Sequence, residues 1–446
     1  MRFLTKSQNR ALAFNGEITA FLALLFILMM SIVGALIESA SIQLTKNRKR
    51  ADTLLALEST FAEYHPELLK QYEIFARFGT TEDVLNYRMT YYGAKNMEHR
   101  IRQIQLLTDN QGTPFYQQAV DYMKDWLGLE DLSGDLGYDL SLDSLAGVKE
   151  KEQSNSLELH SLLEEENAQL PAENNPIESV NNLKNKPLLS LLMSNQEELS
   201  KRSITLETLP SHRELQTGNF KQEEINETTD KLFFIAYIFE HFSNVNDEEK
   251  GGALLYEQEY LLGGLGSDQE NLEAVCKKIM NIRMISNYTY LLTDSVKQAE
   301  AQTMALTLCS LISMPALTEV VKHALLFAWA YGESIVDARI LLKGKKVPLV
   351  KNSDSWQLQL SNLSALGTEQ EVVTEKDMGR GLSYQDYLKA LFLLESREIL
   401  SMRCLDLVEG NLHLKTDQCM TKVEIISVAH LRRGIQDSYT TMYGYR

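Results

Sequence analysis

The sequence predicts a mainly α-helical protein in which a long N-terminal transmembrane helix continues into a helical domain, with a few short strands near the C-terminus. Three observations predict this class. Residues 18–37 carry no charge, and residues 38–64 contain neither Pro nor Gly, so one helix can run on towards Pro66. Farther along, apolar residues recur every three or four positions. Only residues 356–360 and 422–429 show the alternation that is typical of a strand.

The apolar run over residues 18–37 is long enough to cross a bilayer, because a helix of this length spans roughly 30 Å. Basic residues flank the run on both sides, so charge does not set its orientation. A cleaved signal peptide is the alternative, but its apolar region would be about 7–15 residues long. We therefore expect a single-pass protein of the cell membrane, with membrane lipid as a partner. The expected membrane anchor includes Ile18, Phe21, Leu25, Ile32 and Ile37.

Changes in composition divide the chain into five segments. They are a short basic leader or cytoplasmic tail (1–16), the transmembrane helix with its amphipathic extension (17–65), a helical segment (66–129), an acidic linker or insertion (130–175), and a helical domain with short C-terminal strands (176–446). The fourth segment is interpreted as an exposed linker because it is rich in charge and poor in aromatic residues. A helical arm is the alternative, since leucines at 157, 159, 162 and 163 form a stripe.

The last segment carries the strongest helix signals. Asp230 is a possible N-cap, and Ser383 with Asp386 forms a predicted capping box. Uninterrupted apolar runs between residues 304 and 342 are too short to cross a membrane, so they indicate a buried helical bundle. The predicted helices of this segment span residues 231–242, 267–292, 299–313, 317–342 and 384–412.

Charge and cysteine content limit the classes of partner. The chain has 61 acidic and 44 basic residues and a net charge of −17, which argues against nucleic acid as a partner. Its four cysteines do not form the short paired spacings of a zinc site. Cys404 and Cys419 form a possible disulfide if the domain is extracellular, and two buried free thiols are the alternative.

The sequence contains no recognisable catalytic or cofactor motif. No two histidines have the spacing of a metal-binding helix face, and the glycines at 263–266 do not complete a dinucleotide loop. We therefore predict no catalytic residue, no metal site and no cofactor. Glu333 and Asp337 lie four residues apart on one helix face, where paired carboxylates can perform acid–base chemistry. Buried ion pairs with Arg339 or Lys322 are the favoured interpretation, and a membrane-tethered surface enzyme is the alternative.

The basic leader that ends at Gly16, followed directly by a hydrophobic helix, resembles type IV pilin-like proteins, and among them the TadE/TadG-like pseudopilins of tight-adherence (Flp) pilus systems. Several strings are also similar to an uncharacterised family of single-pass proteins of Gram-positive bacteria that is associated with such pilus assembly. These strings are Gly16-Glu-Ile-Thr-Ala-Phe-Leu-Ala-Leu24, Phe61-Ala-Glu-Tyr-His-Pro-Glu-Leu-Leu69, Asn175-Pro-Ile-Glu-Ser-Val180, Tyr256-Glu-Gln-Glu-Tyr-Leu-Leu262, Ala328-Trp-Ala-Tyr-Gly-Glu-Ser-Ile-Val-Asp337 and Lys346-Val-Pro-Leu349.

The resemblance implies a structural or assembly component of a pilus or related secretion apparatus, with other pilin-like or pilus-assembly proteins as partners. It also implies prepilin-type processing between Gly16 and Glu17, which would place the large domain on the extracellular side. The sequence departs from the pilin pattern at one position, because pilins carry Glu five residues after the cleavage Gly and this chain has Phe21. A simple uncleaved anchor is therefore the alternative.

Overall fold

The computed structural model describes residues 5–127, 142–165, 169–171, 175–193, 197, 199–221, 227–247, 252–377 and 379–445. These residues form mostly α-helices, as the sequence predicts, together with one antiparallel sheet. The helices are α1 (Thr5–Phe61), α2 (Pro66–Tyr72), α3 (Glu82–Tyr91), α4 (Asp109–Leu127), α5 (Leu142–Glu165), α6 (Pro176–Lys184), α7 (Leu188–Leu192), α8 (Glu227–His241), α9 (Glu257–Gly263), α10 (Asp268–Leu291), α11 (Ser295–Leu311), α12 (Thr318–Leu342), α13 (Tyr384–Leu394) and α14 (Arg397–Leu412). The strands are β1 (Arg77–Phe78), β2 (Met97–Leu106), β3 (Cys419–His430) and β4 (Gln436–Gly444).

Helix α1 is the predicted continuous rod, and it is long and apolar enough to cross a membrane. None of the residues in its apolar run is buried against the rest of the chain. The anchor residues named from the sequence are all exposed, from Leu25 at 46% to Phe21 and Ile37 at 65%. An apolar surface of this length is stable only in an apolar medium or against another protein.

The antiparallel sheet is built around β3. Strand β2 pairs along one edge of β3, and β1 and β4 pair along the other. The chain between β2 and β3 spans residues 107–418, so helices α4 to α14 are inserted between two neighbouring strands. The C-terminal part of α1 packs on this sheet. The sheet thus draws residues from both the predicted 66–129 and 176–446 segments.

The inserted helices form the largest apolar core of the molecule. Helices α10 and α12 pack against each other in this core, and Trp329, Tyr237 and Tyr260 are among its largest buried side chains. The predicted helix starts at Ser267 and Ser383 are confirmed, since Ser267 accepts a hydrogen bond from Glu270 N and Ser383 forms the complete capping box with Asp386. Asp230 does not cap α8. It lies inside that helix and pairs with Lys124 at 2.7 Å.

The expectation of a linker over residues 130–175 differs from the structure in its central part. Residues Leu142–Glu165 form α5, which packs along α12 and α10. Leu159 is buried in a small core with Leu308 and Val321, and Leu162 and Leu163 pack against it. For residues 142–165, the alternative prediction of a helical arm is therefore the correct one. Charged residues on the outer face of α5 produced the linker-like composition.

Three further local predictions were wrong. Residues 97–106, expected as helix, form β2, and a bulge between Ile101 and Gln103 hides the alternation in the sequence. The predicted helix 384–412 breaks at Glu395, where Ser396 caps a new helix by accepting from Ile399 N. Residues 356–360 do not join the sheet.

The possible Cys404–Cys419 disulfide is absent, and both residues are buried free thiols. Cys404 lies within α14, and Cys419 begins β3, where its Sγ donates to the carbonyl of Lys415 at 3.5 Å. Burial raises the pKa of both thiols, and nearby carboxylates raise it further. Two protonated thiols packed in apolar surroundings behave as small hydrophobic groups.

Candidate functional site

Two places in the fold are candidates for function: the joint between α1 and the sheet, and a buried cluster of charges in the helical body. At the joint, Ala56, Leu57 and Phe61 of α1 are fully or almost fully buried against α3, β2 and β3. The ring of Phe61 lies 5.1 Å from that of Tyr443 and 5.2 Å from that of Tyr445. Burial of these side chains holds the helix on the domain.

Polar contacts extend the same joint towards the apolar half of α1. The largely buried carboxylate of Asp437 forms ion pairs with Lys46 and Arg50, each at 3.2 Å. Tyr439 donates its hydroxyl hydrogen to the carbonyl of Lys49, and its oxygen lies 2.7 Å from Thr53 Oγ1. Strand β4 therefore runs alongside α1 in the same direction, from Asp437 beside Lys46 to Tyr443 beside Phe61.

The second candidate contains the carboxylates singled out from the sequence, Glu333 and Asp337 of α12. Both side chains are completely buried. Lys351 forms ion pairs with Glu333 and, at 2.6 Å, with Asp337. Arg283 of α10 donates to Asp337 at 3.0 Å, and Asn287 donates to it at 2.9 Å. Glu333 also accepts the backbone N–H groups of Gln357 and Leu358.

This arrangement differs from the ion pairs expected with Arg339 or Lys322. Arg339 instead pairs with Glu371, and Lys322 lies 3.5 Å from Glu319. The four charged side chains of the cluster, which are Arg283, Glu333, Asp337 and Lys351, balance in sign. We call this set the charge cluster.

The two carboxylates of the charge cluster respond differently to burial. Burial raises the pKa of Glu333, and this outweighs the opposing charge of Lys351. Burial alone would also raise the pKa of Asp337, but the charges of Arg283 and Lys351 lower it below its usual value. Each carboxylate has a cationic partner in contact and no exposed surface. Such an arrangement stabilises the packing of the segments it joins.

The charge cluster explains why residues 356–360 alternate without forming a strand. The backbone N–H groups of Gln357 and Leu358 bond to Glu333, and that of Trp356 bonds to the carbonyl of Asn352, instead of to a neighbouring strand. The indole N–H groups of Trp329 and Trp356 both donate to the carbonyl of Leu358, at 2.7 and 2.6 Å. Arg283 reaches the same region by donating to the carbonyls of Pro348 and Leu349. The cluster therefore clamps the segment after α12 onto α10 and α12.

A second buried acidic network lies around α9 and is separate from the charge cluster. Tyr260 donates to Asp406 at 2.7 Å, and Asp268 accepts the backbone N–H groups of Leu255 and Tyr256. Glu259 accepts hydrogen bonds from Val245 N and the hydroxyl of Tyr384. Burial raises its pKa to about 7.

A surface cleft of about 370 Å³ lies between α6, α7, α10 and α12. Lys184, Lys277 and Glu273 line its polar side, and Tyr331 forms part of its wall. Both lysines are in ion pairs, Lys184 with Glu152 and Lys277 with Glu273. Glu333 and Asp337 do not line the cleft. No set of three or more His, Cys, Asp or Glu side chains suited to a metal ion occurs in the described parts of the chain.

Sequence reasoning missed the cationic half of the charge cluster. Arg283 interrupts the apolar stripe of α10, four residues after Ile279 and four before Asn287. A single Arg on an otherwise apolar helix face signals a buried ion pair, because an isolated buried charge is too costly. No comparable local signal marks Lys351, which lies in a polar loop. Gly16 and Glu17, the expected processing pair, lie within the helical backbone of α1, directly before the apolar run.

The comparisons with known proteins concern mainly the helical body. Residues 166–430 match the profile of a family of unknown function, DUF5702, and this range includes the charge cluster and β3 but not α1. No curated protein and no solved structure matches the chain. Because the matched range covers more than half of its residues, the chain belongs to the DUF5702 family.

Proposed function

We propose that this protein is a membrane-anchored structural or assembly component of a tight-adherence-type pilus or a related secretion apparatus. The observation that carries the proposal is the division of α1: its residues 18–37 are apolar and exposed, while Ala56, Leu57 and Phe61 near its end are buried against the domain. A single uninterrupted helix transmits position and force between a bilayer and a folded domain. Other pilin-like or assembly proteins are the proposed partners, and the large domain is proposed to be extracellular.

The chemistry of the described residues supports a structural function over an enzymatic one. Glu333 and Asp337, the proposed acid–base pair of the alternative, are buried and held by Lys351 and Arg283. A surface enzyme needs its carboxylates within reach of a substrate. The test compares the folding stability and any activity of the variants Glu333→Gln and Asp337→Asn with those of the wild type. Loss of folding stability in both variants supports the structural proposal, whereas an activity lost from a stably folded protein supports the enzyme.

The first experiment on the leading proposal is the intact mass and N-terminal sequence of the protein taken from native membranes. A chain that begins at Glu17 supports prepilin-type processing and an extracellular domain. A chain that begins at Met1 contradicts processing and leaves an uncleaved signal anchor. A Leu157→Cys variant, labelled on intact cells with a membrane-impermeant reagent, tests the side of the membrane independently. Leu157 suits this label because its side chain is 71% exposed, whereas the four native cysteines are buried.

A further inference from the structure

The end of the domain nearest the apolar part of α1 carries a concentration of positive charge. We define this domain base as residues 46–50 of α1, residues 95–100 around the start of β2, and residues 430–437 around the β3–β4 turn. It contains eight Lys and Arg residues and two acidic residues, in a chain whose net charge is −17. The rest of the molecule is therefore strongly acidic while its base is basic.

Contacts between the three segments show that they lie together. Lys49 donates to the carbonyl of Lys95 at 2.7 Å, and Asp437 pairs with Lys46 at 3.2 Å. Residue Met97 of β2 pairs in register with Ala429 of β3. The domain base is thus a single surface formed by segments that are distant in sequence.

The β3–β4 turn points towards the end of the apolar run. Lys46 lies nine residues beyond Ile37, which is roughly 14 Å along the helix. Because β4 runs alongside α1 from Asp437 to Gly444, the extended residues before Asp437 reach about 7 Å the other way to Ile435, and the turn Arg432–Gly434 lies beyond them. The turn therefore reaches the level of the first helical turn after Ile37. That level falls within the headgroup layer of a bilayer whose hydrocarbon ends near Ile37.

Four of the basic side chains of this surface are available to a ligand. Arg48, Lys95, Arg100 and Arg432 are exposed, and Ile435 adds an apolar contact at the turn. A row of exposed cations beside a membrane helix is attracted to anionic headgroups, and each adds to the binding. The acidic body of the molecule is repelled by the same headgroups.

We propose that the domain base binds the headgroups of anionic phospholipids and thereby limits the tilt of α1 and its domain in the bilayer. The inference rests on the proposed membrane anchoring and names a second lipid contact beyond the apolar helix. Two features of the molecule select lipid as the occupant: the charge of the base is complementary to an anionic leaflet, and the surface is continuous with the anchor.

The test uses the full chain in nanodiscs with a fluorophore on a Gln436→Cys variant. Gln436 is exposed next to the turn, and the native cysteines are buried, so labelling is specific. Lipids that carry a nitroxide on the headgroup quench a fluorophore held against the membrane. We expect strong quenching in nanodiscs rich in phosphatidylglycerol, and quenching reduced to about half or less in phosphatidylcholine or in 1 M salt.

Two triple variants in the same labelled background make the test specific. The first variant carries Arg48→Gln, Lys95→Gln and Arg432→Gln, which removes three exposed cations from the base. We expect its quenching in anionic nanodiscs to fall to the level seen in phosphatidylcholine. The control variant carries Lys201→Gln, Lys376→Gln and Arg380→Gln, three exposed cations in loops of the helical body, and should keep the quenching.

Quenching that is equal in the two lipids, or that falls equally in both triple variants, would overturn the inference. Neither result would contradict the proposed membrane anchor. A chain that fails to enter nanodiscs at all contradicts the proposed anchoring itself. The inference then falls with it, so the two failures are distinguishable.

Discussion

Individual buried carboxylates in this protein are stabilised in different ways. Glu333 contacts the ammonium group of Lys351 and two backbone N–H groups. Glu259 has no such cation among its described contacts, and it accepts hydrogen bonds from Val245 N at 3.1 Å and the Tyr384 hydroxyl at 2.8 Å. The surroundings of the two residues therefore lead to different predictions about the stability of the protein.

Removing Lys351 should destabilise the fold strongly. Lys351→Met keeps a side chain of similar length but leaves Glu333 buried without its cation, which costs about 3–5 kcal/mol. The free energy of unfolding in urea measures the effect. Lys277→Met is the matched control, because Lys277 pairs with Glu273 on the surface and its loss should cost no more than about 1 kcal/mol. Equal stability of the two variants would show that the charge cluster is not a clamp.

Glu259 should make stability depend on pH. Burial raises its pKa from 4.5 to about 7, so the contribution of this group is full below pH 4.5 and is lost as pH rises through 7. The stability of the wild type relative to Glu259→Gln should therefore fall by up to about 3 kcal/mol between pH 4.5 and 8. Unfolding of both proteins across this range is the measurement. Parallel pH curves would contradict the shifted pKa.

At the scale of elements, the joint between α1 and the sheet determines how the domain is attached to α1. Leu57 is completely buried there, while Leu55, two residues earlier on the same helix, is 60% exposed. The joint combines this apolar contact with the ion pairs of Asp437. Because β4 follows α1 along its length, the helix and the hairpin should move as one unit.

Leu57→Ala should loosen this joint by leaving a cavity, at a cost of about 2–5 kcal/mol. Hydrogen exchange of the β3–β4 amides should increase, because α1 covers that sheet. Leu55→Ala is the control, with an expected change within about 0.5 kcal/mol since its side chain already faces solvent. If the two variants exchange alike, α1 is not coupled to the sheet in the way the buried contacts indicate.

At the scale of the whole molecule, a helical body is inserted into a sheet that is fixed to α1, a helix long and apolar enough to cross a membrane. The inserted body spans residues 107–418 and contains most of the DUF5702 match. Its termini, at the end of β2 and the start of β3, lie side by side in the sheet. The fold therefore connects the part of the chain that matches DUF5702 to α1 through the sheet.

The membrane anchoring of the whole chain should be sensitive to one charge in the apolar run. Leu28→Arg places a cation near its centre, at a cost of about 2.5–3.5 kcal/mol on insertion scales. We expect the variant to be extracted from membranes by alkaline carbonate while the wild type is retained. Leu44→Arg, outside the run at a 71% exposed position, should stay in the membrane. Retention of both variants would contradict the assignment of residues 18–37 as the span.

The sequence was sufficient for those parts of the fold that depend on neighbouring residues. The uncharged run 18–37, the helix starts at Ser267 and Ser383, and the strand over residues 422–429 depend on local composition, capping and alternation. The structure confirms the continuous helix, the two caps and the strand.

Contacts between distant residues required the folded chain. His99 lies 2.8 Å from Ser427 across the sheet, although 328 positions separate them in sequence. Arg283 and Lys351 reach Asp337 from different segments, and nothing in the local pattern names them as its partners. Helix caps and regular apolar patterns follow from interactions a few residues apart, so they are encoded locally, whereas β2 forms only by pairing with β3. Strand pairing, the buried ion pairs and the grouping of basic residues at the domain base depend instead on how the helices pack. That packing reflects the burial of apolar surface summed over the whole chain.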